Sequence, residues 1–322
     1  MQTLSIYMNH RASHGGAENW RAVLDRSLFR SERLYRSPQN LDELHGYLQT
    51  DIDNKVDALI SIGGDGTVNT LIQSLVKKDI GLLVIPGGTA NDLAHELGNT
   101  KNLRGLIHCI QNNEFKYIDL IRINGRYMAT NGGFGLGGDV ARKINELRQK
   151  FPLFKDIMKF SGSKIYSFFI ASELLSLNYD RQKLLIECDE FQGLVECSTM
   201  LVNNQPVVAG SMNVAPETCN TDGKFNVILT THKSRQKFIR CVLGIAAGFY
   251  PSNDPDFISF ETTRMKVTHL EPTRSLNFFG DGEIFDENEK TWDIEIEPRA
   301  LKVYSRCTEK NYMSLCNEVS LA

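Results

Sequence analysis

Over the first hundred residues, short apolar runs alternate with stretches whose apolar positions recur at helical spacing. Residues 4–8 (LSIYM) and 33–37 (RLYRS) read as strands, and 17–29 (AENWRAVLDRSLF) as a helix. Ser37 and Pro38 offer an N-cap and a first-turn proline for a helix over 38–49. Residues 56–63 (VDALISIG) are almost continuously apolar, as a strand buried on both faces must be. A helix over 67–78, a strand over 81–88 and a helix over 90–98 follow. This alternation predicts an N-terminal doubly wound parallel α/β sheet, a domain of residues 1–123.

The period then shortens. Residues 116–123 and 126–133 flank Asn124-Gly125, a strong hairpin signal. Further strands are predicted over 183–189, 194–204, 224–232, 264–270, 275–282 and 291–298, interrupted by helical stretches near 139–177 and 234–249. A β-rich second domain is therefore expected over 124–304, with 305–322 as a tail.

Glycines sit where the parallel strands end. The stretch LISIGGDGTVNTLI (59–72) places Gly63, Gly64 and Gly66 around Asp65, after a strand and before a helix. Open α/β sheets bind ligands at the carboxyl ends of their strands, and glycines let backbone N–H groups approach a phosphate. Asp65 is an anion, so it suits a magnesium ion or an attacking hydroxyl better than a phosphate oxygen. IPGGTANDLA (85–94) repeats the arrangement after the next strand, and NHRASHGG (9–16) follows the first. Three such loops at one sheet edge point to a nucleotide site.

Composition narrows the class. The chain has 322 residues, 41% hydrophobic and 23% charged, with a net charge of −3, which gives no nucleic-acid footprint. Seven cysteines, an odd number without any C-x-x-C spacing, favour reduced thiols in a cytoplasm over a disulfide framework or a zinc site. The seven histidines show no ligand spacing, so no metal or catalytic role is assigned to them. No apolar run approaches a membrane span, and the opening residues lack a basic stretch ahead of an apolar core.

Taken together, SIGGDGTVNTLIQSL, IPGGTANDLA, NGGFGLGGDVA, VAPETCNTDGKFNVILT and FFGDGEIF, in that order, resemble the diacylglycerol kinase catalytic-domain family. These are bacterial diacylglycerol kinase-like and phosphatidylglycerol kinase-like lipid kinases, related to sphingosine and ceramide kinases. The resemblance implies a nucleotide domain followed by a β-sandwich-like domain, ATP as phosphoryl donor, and Mg2+. It implies nucleotide contacts from Asn9, His10, Arg11, Ala12 and Ser13, where His10 replaces the family's usual proline. It implies the same for Gly63, Gly64, Asp65, Gly66, Thr67, Val68, Asn69, Gly88 and Thr89, with Ser37 nearby. Asp65 would be essential through metal or acceptor hydroxyl, and Glu283 matches the position of the general base. Asp281 beside it reads equally well as a turn residue. A structural magnesium would use Asp222, the carbonyl of residue 224 and an acidic residue three before Asp222. That last position is Cys219, a soft ligand poorly matched to magnesium.

The expected activity is transfer of the ATP γ-phosphoryl group to a hydroxyl of a membrane lipid, by a cytoplasmic enzyme at the membrane surface. A basic amphipathic stretch over 141–164, containing Lys150, Lys155 and Lys159, suits contact with an anionic membrane, and 238–251 is a second candidate. An exposed strand edge in the second domain could pair two copies as a homodimer. The rival readings are an NAD-kinase-like enzyme with a small acceptor and a non-catalytic lipid- or nucleotide-binding protein.

Overall fold

The computed structural model describes residues 2–9, 17–88, 91–99, 103–135, 179–208, 212–271, 276–286 and 289–305. The chain divides into two compact units, Met1–Ile118 with Arg299–Ala322, and Asp119–Pro298. The last described residues thus belong with the first unit.

In the first unit, strands and helices alternate: β1 (Thr3–Met8), α1 (Ala17–Ser27), β2 (Glu32–Arg36), α2 (Leu41–Asp53), β3 (Ala58–Gly63), α3 (Asp65–Leu75), β4 (Gly81–Pro86), α4 (Asp92–Glu96) and α5 (Leu103–Gln111). The strands pair in parallel in the order β2-β1-β3-β4, with Leu4 opposite Ala58 and Ala58 opposite Gly81. β3 and β4 are buried at every position, which is why they read as continuous apolar runs. Leu4, Ile6, Ile60, Ile62, Leu83 and Ile85 pack with Leu24 of α1, with Leu28 in the turn after it, and with Leu106 and Ile110 of α5. Opposite strand β1, α2 supplies buried Asp51, which accepts hydrogen bonds from Ser5 Oγ at 2.5 Å and Tyr7 Oη at 2.6 Å and pairs with Arg36 at 2.5 Å. Burial and the bond to Asp51 push the Tyr7 hydroxyl well above its ordinary pKa.

The helix predicted from residue 38 starts later. Its N-cap is Asn40, whose side chain accepts the N–H of Glu43 at 2.9 Å, while Glu43 accepts the N–H of Gln39 at 2.9 Å. This reciprocal cap outcompetes Ser37, which stays outside the helix.

The second unit is antiparallel. Its elements are β5 (Phe115–Ile123, entering from the first unit), β6 (Arg126–Met128), β7 (Asn131–Gly135), β8 (Gln182–Glu187), β9 (Gln192–Cys197), β10 (Thr199–Asn203), β11 (Val207–Val208), β12 (Met212–Asn213), β13 (Phe225–Thr230), α6 (Arg235–Ala246), β14 (Phe257–Thr262), β15 (Arg264–His269), β16 (Phe278–Gly280), β17 (Glu283–Asp286) and β18 (Thr291–Tyr304). One sheet runs β14-β13-β10-β7-β16-β17; facing it are β9, β8, β15 and the first half of β18. Met200, Val202, Phe225, Val227 and Phe278 of one sheet meet Leu184, Ile186, Val267, Trp292 and Ile294 of the other, so the unit is a sandwich. Phe134 anchors it, with ring centroids 4.4 Å from Trp292 and 5.1 Å from Phe278. Residues 299–304 of β18 return to the first unit, where Val303 pairs in parallel with Leu82.

Asn124 and Gly125 form the expected hairpin turn, with φ of 47° and 88°. Two runs that read as single strands are each divided between the sheets. The run over 126–133 breaks at Ala129-Thr130, and that over 194–204 breaks at Ser198, whose N–H goes to Thr230 O. Neither corner carries a glycine or a proline, so no breaker residue marks it in the sequence. The helix over 234–249 appears as α6; those near 139–177, and the basic stretch 141–164, lie outside the described residues.

Candidate functional site

The chain order of the parallel sheet reverses at β1: β2 lies on one side, β3 and β4 on the other. Loops leaving β1 and β3 therefore diverge, and the crevice between them is where such sheets take ligands. Asn9 ends β1 here. Its N–H donates to Ile62 O at 3.0 Å and its side chain to Thr67 Oγ1 at 2.9 Å, tying the first loop to the start of α3.

The glycines of the next two loops have a steric reason. Gly63-Gly64 and Gly87-Gly88 lie back to back, with Gly87 N–H bonded to Gly63 O at 2.9 Å. A Cβ on Gly88 would stand 2.5 Å from the Gly64 Cα. Asn91, in the left-handed region at φ 55°, clamps Gly88 from the other side: its Oδ1 accepts the Gly88 N–H at 2.7 Å and its Nδ2 donates to Gly88 O at 3.0 Å. Asp65 closes the arrangement. Its two carboxylate oxygens accept the N–H groups of Asn91 at 3.0 Å and Asp92 at 2.9 Å.

Helix α3 begins at this junction on Gly64, which makes no side-chain cap bond. The amides of Thr67 and Val68 both turn back to Gly64 O, at 3.1 and 3.2 Å, and the first turn carries the positive end of the helix dipole. Because the Asp65 charge is answered by two amides of the neighbouring loop, it does not cancel that end.

Asn9, Gly63, Gly64, Asp65, Thr67 and Gly88 are thus joined in one assembly. Ser37 closes β2 at the same sheet edge. Val68 and Asn69 are buried on α3 and support the helix from within. His10, Arg11, Ala12, Ser13 and Thr89 lie outside the described residues. Sequence reasoning passed over Asn91, although an Asn shortly after a glycine pair is a signal for a left-handed, backbone-binding residue.

In the second unit, Asp281 and Gly282 turn β16 into β17 with φ of 50° and 78°, and Gly280 pairs with Glu283. Asp281 is more than a turn residue. Its buried carboxylate accepts the N–H of Ala129 at 3.0 Å, the N–H of Thr130 at 2.8 Å and the Thr130 hydroxyl at 2.6 Å. It therefore satisfies the backbone at the corner between β6 and β7. Glu283 follows as the first residue of β17 and is exposed. A pinned turn carrying an exposed carboxylate is a suitable mount for a base.

Asp222 accepts the Lys224 N–H at 3.0 Å, and burial, with Glu261 and Asp119 nearby, raises its carboxyl above the ordinary value. Gly223 donates to Asp119 at 2.7 Å, and the Cys219 sulfur lies 3.2 Å from the Thr221 hydroxyl.

Residues 8–123 match the diacylglycerol kinase catalytic domain, and residues 152–305 match the YegS C-terminal NAD kinase beta sandwich-like domain. The chain thus joins a domain of the diacylglycerol kinase catalytic-domain type to a YegS-type C-terminal domain. It is 28% identical over 233 residues to a diacylglycerol kinase of Mycobacterium tuberculosis, covering 70% of each chain. It is 28% identical over 228 residues to a diacylglycerol kinase of Bacillus subtilis, covering 70% of this chain and 71% of that one. A solved structure of a diacylglycerol kinase from Bacillus anthracis has the same fold, with a TM-score of 0.70 over 95% of this chain and 97% of that chain at 18% identity. Among the described residues, no helix is long and apolar enough to cross a membrane.

Proposed function

We propose that this chain is an ATP- and Mg2+-dependent lipid kinase, transferring the γ-phosphoryl group of ATP to a hydroxyl of a membrane lipid. The observation that carries this reading is the locked pair of glycine loops beside the start of α3, at the switch point of the parallel sheet. Phosphoryl transfer asks for positioning and charge stabilisation rather than covalent work from the protein. A cradle whose glycines leave bare backbone facing a helix N-terminus fits the phosphates of ATP. Asn9, the loop over 63–69 and Gly88 would hold them, and the family resemblance adds His10, Arg11, Ala12, Ser13 and Thr89. Asp65 is the ligand offered to Mg2+, which when bound neutralises charge on the phosphate oxygens. Asp222 would belong instead to a separate structural Mg2+, for which Cys219 is a poorly matched ligand. Glu283 takes the proton of the acceptor hydroxyl as that oxygen attacks phosphorus.

The lipid is reached from the membrane surface. From Lys233 to Asn253 the chain carries Lys233, Arg235, Lys237 and Arg240 and no acidic residue. Leu243 and Phe249 there are 53% and 74% exposed. Basic side chains flanking exposed apolar ones suit an anionic bilayer. The match of residues 152–305 to an NAD kinase-like domain supports a second reading, phosphorylation of NAD. Incubation with labelled ATP and Mg2+, with a total lipid extract in one arm and NAD in the other, separates the two. A labelled lipid is expected. Label in NAD alone would replace the lipid reading, and label in neither would remove both.

A further inference from the structure

His232, Cys241 and Asp254 are 22 residues apart at most in the chain and come from three different segments. His232 follows the end of β13, Cys241 is on the inner face of α6, and Asp254 is in the turn before β14. One ring nitrogen of His232, the Cys241 sulfur and one Asp254 carboxylate oxygen all lie within 4.8 Å of one another. We propose that these three side chains form a binding site for a divalent transition metal, best matched by Zn2+, which ties the end of β13 and the turn before β14 to α6.

The chemistry of the three donors selects the ion. A thiolate, an imidazole and a carboxylate are the ligands zinc takes, whereas magnesium and calcium ask for oxygen alone. With the thiol deprotonated by the metal, the set brings two negative charges to a divalent ion, so the buried complex is neutral. Around a tetrahedral zinc the ligand atoms stand about 3.3–3.8 Å apart. His232 Nε2 and Asp254 Oδ2 are at 2.9 Å, so on binding these two atoms would part by about 0.4 Å while the sulfur, within 4.8 Å of both, draws in.

His232 supplies the second observation. The residue is fully buried, and its Nδ1 is a buried polar atom with no hydrogen-bond partner among the described residues. A buried polar atom without a partner calls for an account, and a bound ion at this ring supplies one. Its position is braced: Tyr179 Oη donates to the His232 carbonyl at 2.8 Å, and the Phe238 ring packs 6.3 Å from the imidazole. Asp254 is held by the N–H of Asp256 on its other oxygen at 3.0 Å. Asp254 is also the partly exposed member, with its side chain 31% accessible, so an ion enters and a water completes the coordination from that side. Neither the phosphate cradle nor the proposed base uses any of these residues.

The test uses Co2+ as a spectroscopic stand-in, added to the purified full chain freed of metal by a chelator. One equivalent should produce a near-ultraviolet thiolate-to-cobalt band and intense visible bands of tetrahedral coordination, both erased by one equivalent of Zn2+. Cys241→Ser should lose the thiolate band and bind Zn2+ at least about 100-fold more weakly, while Cys188→Ser keeps both. Asp254→Asn, at the exposed rim, should keep the thiolate band with weaker affinity. It serves as the second probe if circular dichroism shows the serine variant to be misfolded. A pale octahedral spectrum for the wild-type chain, or a thiolate band that survives Cys241→Ser, overturns the site. The readout does not involve phosphoryl transfer, so its outcome is independent of the kinase reading.

Discussion

Asp65 and Asn91 are joined by a 3.0 Å hydrogen bond from the Asn91 N–H to the Asp65 carboxylate, and the same Asn91 holds Gly88 with its side chain. The invariable neighbour in each loop is therefore the other loop: GGDG and PGGTAND form one unit of structure. A residue nominated for chemistry is also a brace, and this changes what its substitution should do.

Asp65→Asn is expected to cost both stability and activity. Asparagine offers one acceptor oxygen and turns an NH2 group toward one of the two backbone donors. Stability should fall by about 1–3 kcal/mol, the usual consequence of leaving a donor unmatched. Lipid phosphorylation should fall by roughly 100-fold or more. Denaturant melts alongside turnover separate the parts. A variant of wild-type stability that is inactive would make Asp65 purely chemical, and one active at wild-type rate would leave it a brace alone.

Gly88→Ala places a methyl group against the Gly64 Cα, where only 2.5 Å is available. Overpacking of this kind costs about 1–3 kcal/mol, and the two loops must part to relieve it. The thermal shift produced by ATP should shrink with it. Gly46→Ala is the control, since it lies inside α2 with nothing within 4 Å. It should raise stability by roughly 0.5–1 kcal/mol through helix propensity and leave the ATP shift unchanged.

Glu283→Gln keeps size and hydrogen bonding but cannot accept a proton. Turnover should fall by roughly 10²–10⁴-fold with ATP affinity little changed. The Asp281 turn stays pinned to Ala129 and Thr130, so folding should be unaffected. A rate within a few-fold of wild type would take Glu283 out of the mechanism.

Burial, with Asp57 and Asp79 adding to it, pushes the Tyr304 hydroxyl up to about 12 from its ordinary value of 10.0. The folded chain therefore holds a proton that the unfolded chain gives up two units earlier. Stability is fully present below about pH 10 and is lost as pH rises toward 12. Tyr304→Phe should flatten part of that alkaline decline. Its cost at neutral pH should be small, because the hydroxyl reaches Asn113 only at 3.5 Å. Urea melts across pH 8–12 check this, and an unchanged slope would assign the decline to other groups.

By itself the sequence left α5 and β14 unread but determined the strand–helix alternation of the first domain up to α4, its parallel sheet, the Asn124-Gly125 hairpin and the two glycine loops. These are local facts: apolar period, turn chemistry and backbone freedom are written in neighbouring residues. It could not show that 126–133 and 194–204 each cross between sheets, since neither corner carries a glycine or a proline to mark it. Ser37 lost the start of α2 to Asn40 because a cap is decided by which side chain reaches the free amides. The tertiary structure alone decided that Gly64 and Gly88 need each other's missing Cβ and that Asp281 satisfies a distant corner. It also gathered His232, Cys241 and Asp254 into one cluster. Spacing in the chain carries no trace of such meetings, because contacts between separate segments depend on how sheets and helices pack, and packing is set by the whole core at once.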